Sequence, residues 1–395
     1  MIRFLANFMS EDVSTSMISR TSSRFSIFGS SNAINSDTAQ RIADVFGCVN
    51  IKADALAIMP LKLYKSVDNG KEEFKTHSLY KLLKSAPNPE LTAFEWKKMI
   101  SQDLDLRGNN YNQIVRNGLG EIKAIYPLVA DKMTVEWTTT GNQKVYKYDG
   151  QIVPSNRILH FFDIPDKEGL KGLSRIQLHK DTLEFSKASS LYGNKLFKNG
   201  LSPTGIFETP GKLDDDSFNR LKKDLDEEYS SFEKTGKPLL LEQGLTYKAI
   251  SLTSSDAQWM ESRGLNRENI ATIFGVPVAM LNDGTKSSYN SLEQKYLEFQ
   301  TGTILPRSIM IEQKAELKLL NESEKNTLFF KFLFNALLRA DVKTRVEYYR
   351  GMSNIAAMNP NEVREKEDMN SYKGGDKYFM QTANSTVDNI IKETK

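Results

Sequence analysis

The chain of 395 residues contains one cysteine, Cys48, and three histidines, His77, His160 and His179. A single thiol excludes an internal disulfide framework and a thiolate-rich zinc site, and it fits a reducing compartment. The histidines are scattered, none at metal-ligand spacing, and read as solvated or structural groups. Charge of one sign is scarce as well: 53 Lys and Arg stand against 50 Asp and Glu, a net charge of +3. A tight nucleic-acid binder usually carries a stronger basic excess or a clear basic stripe. No run approaches the ~20 apolar residues of a membrane span. The opening "MIRFLANFM" is too short for a signal peptide and reads as a short docking helix. The sequence holds no G-x-x-x-x-G-K-S/T loop and no H-E-x-x-H. The usual phosphate-loop route to ATP hydrolysis is therefore excluded, and no metal or cofactor is expected.

What is present is ordinary in amount, with 39% hydrophobic and 26% charged residues. The length allows two or three domains and a sizeable core. Residues 10 to 36 are rich in Ser, Thr and Asn and read as a mobile arm. Asp37 with Gln40 resembles a capping box, and Ile42, Val45/Phe46, Val49 and Leu56 keep helical spacing up to Pro60. "LKLYK" alternates as a strand before an Asn69-Gly70 turn. Thr92 with Glu95 caps a helix to about Leu106, and residues 109 to 128 read as a hairpin about Asn117-Gly118. "MTVEW", "KVYKY" and "RILHFF" are further strands, so residues 37 to 165 form an α+β unit with much antiparallel sheet.

Helical spacing then runs from Leu178 through Phe185 and Tyr192 to Leu196, and Gly200 stops it. A compact insert follows: strand "GIFET", an acidic helix, and strands "KPLLLE" and "LTYKAI". Ser255 with Gln258 opens the next helix, which ends at Gly275-Val276-Pro277. Two helices thus flank a small module, like a stalk with a knob. Tyr289, Leu292, Tyr296, Phe299 and Thr303 share one face of a long helix that Pro306 should kink. The face resumes with Met310, Leu317 and Leu320. "TLFFKFLF" reads as a strand and Val342 to Ala356 as a helix, while Asn359-Pro360-Asn361-Glu362 starts another.

Three patterns suggest other chemistry. Ser78-Leu79-Tyr80-Lys81 and Lys234-Thr235-Gly236 match triplets of serine β-lactamases and penicillin-binding proteins. That alternative is a serine acyl-enzyme on Ser78, Lys81 and Lys234. No S-D-N lies between the triplets, and both arise easily by chance in a chain rich in Ser and Lys. The carboxylates Asp214, Asp215, Asp216, Asp224, Asp226, Glu227 and Glu228 suggest a nuclease metal site. They lie along one helix, interleaved with Lys222 and Lys223, whereas two-metal sites draw carboxylates from separate elements. A solvated or partner-facing helix is the simpler reading, with acidic residues suiting its N-terminal dipole. A soluble nucleic-acid-binding regulator is the third alternative.

Several stretches carry a further resemblance. They are "GLKGLSRI" (169–176), "NGLSPTG" (199–205), "GKPLLLEQGLTYKAI" (236–250), "RGLNRENIATIFGVPVAML" (263–281), "SSYNSLEQKYLEFQTGTILP" (287–306), and "NPNEVREKEDM" (359–369) with "GGD" (374–376). In this order and spacing the chain resembles the portal proteins of tailed bacteriophages, of the Hong Kong ninety-seven type. The resemblance implies an α+β portal fold in a ring of about twelve copies at one capsid vertex, round a channel for double-stranded DNA. It implies a flexible arm at 1–36 and a wing at 37–173 completed by a long helix and strand at 289–339. Stem helices fall at 174–202 and 253–277, the clip at 203–252, a tunnel loop at 278–288, a crown at 340–380 and a polar tail at 381–395. The channel residues are then Asn282, Asp283, Gly284, Thr285, Lys286, Ser287 and Ser288. Glu261, Arg263, Arg267 and Glu268 would form inter-subunit pairs, and Asp224, Asp226 and Glu227 would dock partners. The implied partners are the terminase large subunit, a head–tail adaptor, and the major capsid and scaffold proteins, with no membrane. The implied location is the virion vertex, and host cytoplasm during assembly. The implied role is non-enzymatic, serving DNA packaging and ejection.

Overall fold

A computed structural model describes residues 33 to 379, except 69, 142, 199–204, most of 209–253, 282–288, 335–341 and 368. The described residues form two compact units, each discontinuous in sequence. The first is drawn from residues up to Ile51, Leu104–Gly108 and Ile164–Thr303; the second comprises Lys52–Asp103, Asn109–Asp163 and the chain from Ile304 onward.

The chain begins with a short helix α1 (Ser36–Ala39), then α2 (Ala43–Ile58). The capping box lies two residues ahead of the expected Asp37–Gln40 pair: Asn35 accepts from the Thr38 backbone and Thr38 from Asn35. Asn and Thr satisfy the free amides of a first turn as well as Asp and Gln do. Val45, Val49 and Leu56 of α2 are buried, while Phe46 is exposed.

In the second unit, strands β1 (Leu61–Val67) and β2 (Gly70–Glu73) pair as the expected hairpin, and α3 (Ser78–Lys84) packs on β1. Helix α4 (Ala93–Arg107) is capped reciprocally: Glu95 N donates to Thr92 Oγ1 (3.2 Å) and Thr92 N to Glu95 Oε2 (2.9 Å). Next come β3 (Asn109–Arg116), β4 (Ile122–Leu128), β5 (Met133–Trp137), β6 (Lys144–Tyr148), β7 (Gln151–Val153) and β8 (Ile158–Phe162). They make two antiparallel sheets, β4-β3-β8 and β5-β6-β7. A third sheet, β11-β1-β2, brings β11 (Leu328–Phe332) back to β1 with Leu61 opposite Phe332.

Helix α5 (Arg175–Leu178), α6 (Lys180–Lys198), the β9 (Gly205–Glu208) and β10 (Thr246–Ala249) pair, and α7 (Ser254–Phe274) belong to the first unit. Helix α7 starts at Ser254, so Ser255 lies just inside it rather than at its cap. The expected strand "KPLLLE" lies outside the described residues. Helix α8 (Tyr289–Phe299) ends before Pro306: a π-helical turn, Gln300–Ile304, follows, and Pro306 sits in the first turn of α9 (Leu305–Leu319). There the proline lacks only an amide that has no helical partner anyway.

Helix α9 corrects part of one expectation, since Leu320, just past its end, is buried as expected. Its buried residues are Arg307, Ser308, Ile311, Glu312, Ala315 and Leu319, and Leu317 is exposed. The face is turned because β11 is an edge strand whose amides need acceptors. Glu312 accepts from Phe332 N (2.7 Å) and Glu316 from Phe330 N (3.0 Å). Arg307 in turn reaches Asp163 and Ser101, each at 2.9 Å. Last come α10 (Val342–Asn354) and α11 (Pro360–Lys366). The start of α11 is as expected: Asn359 and Glu362 cap each other at 2.8 and 2.9 Å.

Candidate functional site

The first unit is organised round five residues, Leu104–Gly108, at the end of α4 and just beyond it. Ser36 and Ser174 both donate to the Leu106 carbonyl, at 2.9 and 2.7 Å. Arg107 pairs with Asp37 at 2.9 Å. Asp105, whose side chain is 0% exposed, faces Arg175 at 3.4 Å, and Arg175 also donates to the Ile273 carbonyl (3.2 Å). Gly108 has φ +77°, and a Cβ there would lie 2.4 Å from the Leu173 carbonyl oxygen. Only glycine fits. The "GLSRI" stretch thus ties the root of α6 to the end of α7: Ser174 caps α5 by accepting from Gln177 N (3.3 Å), and Arg175 spans to α7.

Helices α6 and α7 pack on each other. Leu183, Ser186 and Gly193 are buried on α6, and Asn266, Ile270, Ala271 and Phe274 on α7. Phe185, Leu191 and Tyr192 on α6 and Leu265 on α7 are each half or more exposed. The end of α7 is a Schellman motif, in which Val276 N donates to Ala271 O (2.9 Å) and Gly275 N to Thr272 O (3.1 Å). Gly275 takes φ +65°, and the Thr303 hydroxyl of the π turn donates to its carbonyl at 2.6 Å. Pro277 and a 3₁₀ turn, Val278–Leu281, follow, with Leu281 seated against Gly47. The Gly-Val-Pro stop therefore sets the direction in which the chain leaves toward residue 282.

The expected site residues divide by position. Residues 282–288 and Asp224, Asp226 and Glu227 lie outside the described residues. Glu261 and Arg263 fall within helix α7. Arg267 meets Asp44 of its own chain at 3.2 Å, and Glu268 is exposed. Ser78, the first residue of α3, is exposed, as is Lys81 one turn on; Lys234 lies outside the described residues. Sequence reasoning missed the Asp105–Arg175 centre. The signal was present in "DLDLRG" and "GLSRI", but nothing local joins stretches so far apart.

A second polar cluster occupies the core of the other unit. Trp96 donates to Asn112 (2.8 Å), Asn112 to Asn110 (2.7 Å) and Asn110 to Asp103 (2.9 Å). His160 contacts Asn109 at 3.0 Å and stacks on Tyr111, ring centroids 4.2 Å apart. Burial, then the charges of Lys144, Lys314 and Lys318, hold its pKa well below the usual imidazole range. These groups satisfy one another and serve the core, as buried polar groups must. Among the described residues no group of three or more His, Cys, Asp or Glu is placed to hold a metal ion. No helix among them is long and apolar enough to cross a membrane.

The portal protein of Enterobacteria phage HK97 is 27% identical over 364 residues, 87% of this chain and 82% of the relative. The probable portal protein of Streptomyces phage phiC31 is 24% identical over 368 residues, covering 88% and 79%. Among solved structures, a chain of a native gene transfer agent particle superposes with TM-score 0.60 at 20% identity, covering 85% of this chain and 94% of that one. An HK97-family phage portal protein from Corynebacterium diphtheriae gives TM-score 0.51 at 16% identity, covering 80% and 99%. The fold is the portal-protein fold, mixed in helix and sheet. The profile of the phage portal protein family matches residues 43–368, and the chain belongs to that family.

Proposed function

We propose that the chain is a non-enzymatic conduit: about twelve copies close into a ring at one capsid vertex and surround the path of double-stranded DNA during packaging and ejection. The observation that carries this reading is the α6–α7 pair. Its inner faces pack within the subunit, while Phe185, Leu191, Tyr192 and Leu265 remain outside. Apolar side chains gathered on an outer face mark protein interfaces. A chain of similar fold, TM-score 0.59 at 20% identity, comes from the neck of a native gene transfer agent particle computed with C12 symmetry. In this reading α6 and α7 are the stem, residues 203–252 the clip, 282–288 the tunnel loop, and the region from 340 the crown. The 37–173 and 289–339 segments form the wing. Glu261, Arg263 and Glu268 face neighbouring subunits.

The clip docks the terminase large subunit and later the head–tail adaptor through Asp224, Asp226 and Glu227. The ATPase is a separate chain, since the sequence carries no phosphate loop. Capsid and scaffold proteins hold the ring at the vertex, first in the host cytoplasm and then in the virion. Lys286 is the one cation of residues 282–288, and its contact with passing phosphates is weak and screened by salt. The test is packaging. Particles built with residues 284–288 deleted should form rings yet package or retain shortened DNA. Full-length, stably held genome in those particles would contradict a DNA-contacting loop.

A further inference from the structure

Within the second unit, three ammonium groups lie along β8, all close enough to act on His160. Lys144 begins β6 and pairs across the sheet with Trp137. Its Nζ lies 4.9 Å from the centroid of the Phe162 ring and 5.6 Å from that of Trp137. Lys314 of α9 lies 4.6 Å from the centroid of the same Phe162 ring. Lys318 is one turn further along α9 and donates to the carbonyl and hydroxyl of Ser155, at 3.0 and 3.2 Å.

This arrangement is costly for an isolated subunit. Like charges four residues apart destabilise a helix, and burial strips water from both. Burial lowers the pKa of Lys314, and burial with the nearby Lys314 and Lys325 charges lowers that of Lys318. Glu136 pairs with Lys147 (2.6 Å), Asp163 with Arg307 (2.9 Å) and Glu322 with Lys325 (2.6 Å). Among the described residues no acid forms an ion pair with Lys314 or Lys318. The cation–π contact with Phe162 holds the Lys314 charge in place but does not neutralise it.

We propose that Lys144, Lys314 and Lys318, set along β8, bind phosphodiester oxygens of a nucleic-acid backbone, through residues other than 282–288. The choice of residue type carries the identification of the ligand. The cluster is all lysine, a set of point charges suited to phosphate, and it lacks the forked arginine of a carboxylate site. Both rings are covered by ammonium groups, so the site offers no bare platform for bases and reads no sequence. The three lysines come from one subunit, so the site is complete without a ring.

The test uses the full-length protein and a random-sequence duplex, titrated by fluorescence anisotropy across a salt series. Each neutralised phosphate contributes about 0.9 to the slope of log K against log salt. The variant Lys144→Gln, Lys314→Gln, Lys318→Gln should lower that slope by about 2.7. Wild type should therefore lose about 40-fold more affinity than the variant between 50 and 200 mM salt. The triple Lys→Arg variant should restore the slope. Thermal stability of the Gln variant should equal or exceed wild type, because repulsion is relieved. If the triple Gln variant does not fold, Lys314→Gln alone should lower the slope by about 0.9. An unchanged slope in a folded variant overturns the proposal. So does loss of poly-glutamate binding with duplex binding intact, which would assign the surface to an acidic protein.

Discussion

Asp105 and Arg175 make the sharpest case at the scale of single residues. A buried carboxylate is tolerated only while its charge is answered, and removing one partner of such a pair costs about 3–5 kcal/mol. Arg175→Met removes the guanidinium from Asp105, so the unfolding free energy from urea titration should fall by an amount in that range. A change under about 0.5 kcal/mol, typical of an exposed pair, would show that the centre is peripheral. Glycines supply a matched comparison. Gly108→Ala meets both a left-handed φ of +77° and the Leu173 backbone at 2.4 Å, whereas Gly120, at φ +83°, has open space round it. Backbone strain alone costs about 1–3 kcal/mol. Gly108→Ala should therefore lower the melting temperature clearly more than Gly120→Ala does. Lys97 tests the electrostatics. It is 4% exposed, donates to the Met59 carbonyl, and burial pulls its pKa down to about 8. A lysine pKa depressed by folding means that the folded state releases its proton first. The penalty is full below about pH 8 and is relieved as pH rises toward the unfolded value near 10.4. Wild type should then gain stability relative to Lys97→Met between about pH 8 and 10, by up to about 3 kcal/mol. Parallel pH profiles of the two proteins would refute this.

Elements were legible where their signals were local. The Thr92–Glu95 and Asn359–Glu362 caps, the 61–73 and 109–128 hairpins, and the Gly-Val-Pro stop all depend on residues within a turn of one another. The face of α9 was misread because periodicity counts apolar residues and cannot see partners. Arg307 and Glu312 are buried since Asp163, Ser101 and the β11 amides lie beneath them, from segments distant in sequence. The π turn at 300–304 has no such local mark. Its position explains Thr303, which holds the left-handed Gly275 at 2.6 Å. Thr303→Val removes that hydrogen bond and should cost about 1 kcal/mol. Amide exchange should accelerate at Gly275 and Val276 first. Equal protection of those two amides would remove the link between the π turn and the stop. Of the stem residues named from the resemblance, Arg267 pairs with Asp44 of its own chain, and residues 282–288 lie outside the described residues.

Across the whole molecule, near-balanced charge and a family-wide fold point the same way. A conduit must let DNA slide, and every phosphate neutralised by a basic side chain adds salt-sensitive affinity. A net charge of +3 over 395 residues suits passage better than capture. In the proposed reading, a few positioned lysines guide the strand. If the proposed clip presents Asp224, Asp226 and Glu227 to partners, reversing them to Lys should leave the melting temperature near wild type, because exposed charges contribute little to stability. Terminase docking should weaken instead, as read by pull-down. Loss of folding in that variant would make the acidic helix part of a core. The central claim is closure into a ring, and the most direct measurement is negative-stain imaging of the purified protein with mass from light scattering, alone and with its capsid partners. The account predicts closed rings of about twelve subunits with a central opening. A protein that stays monomeric at high concentration, with those partners present, would contradict it.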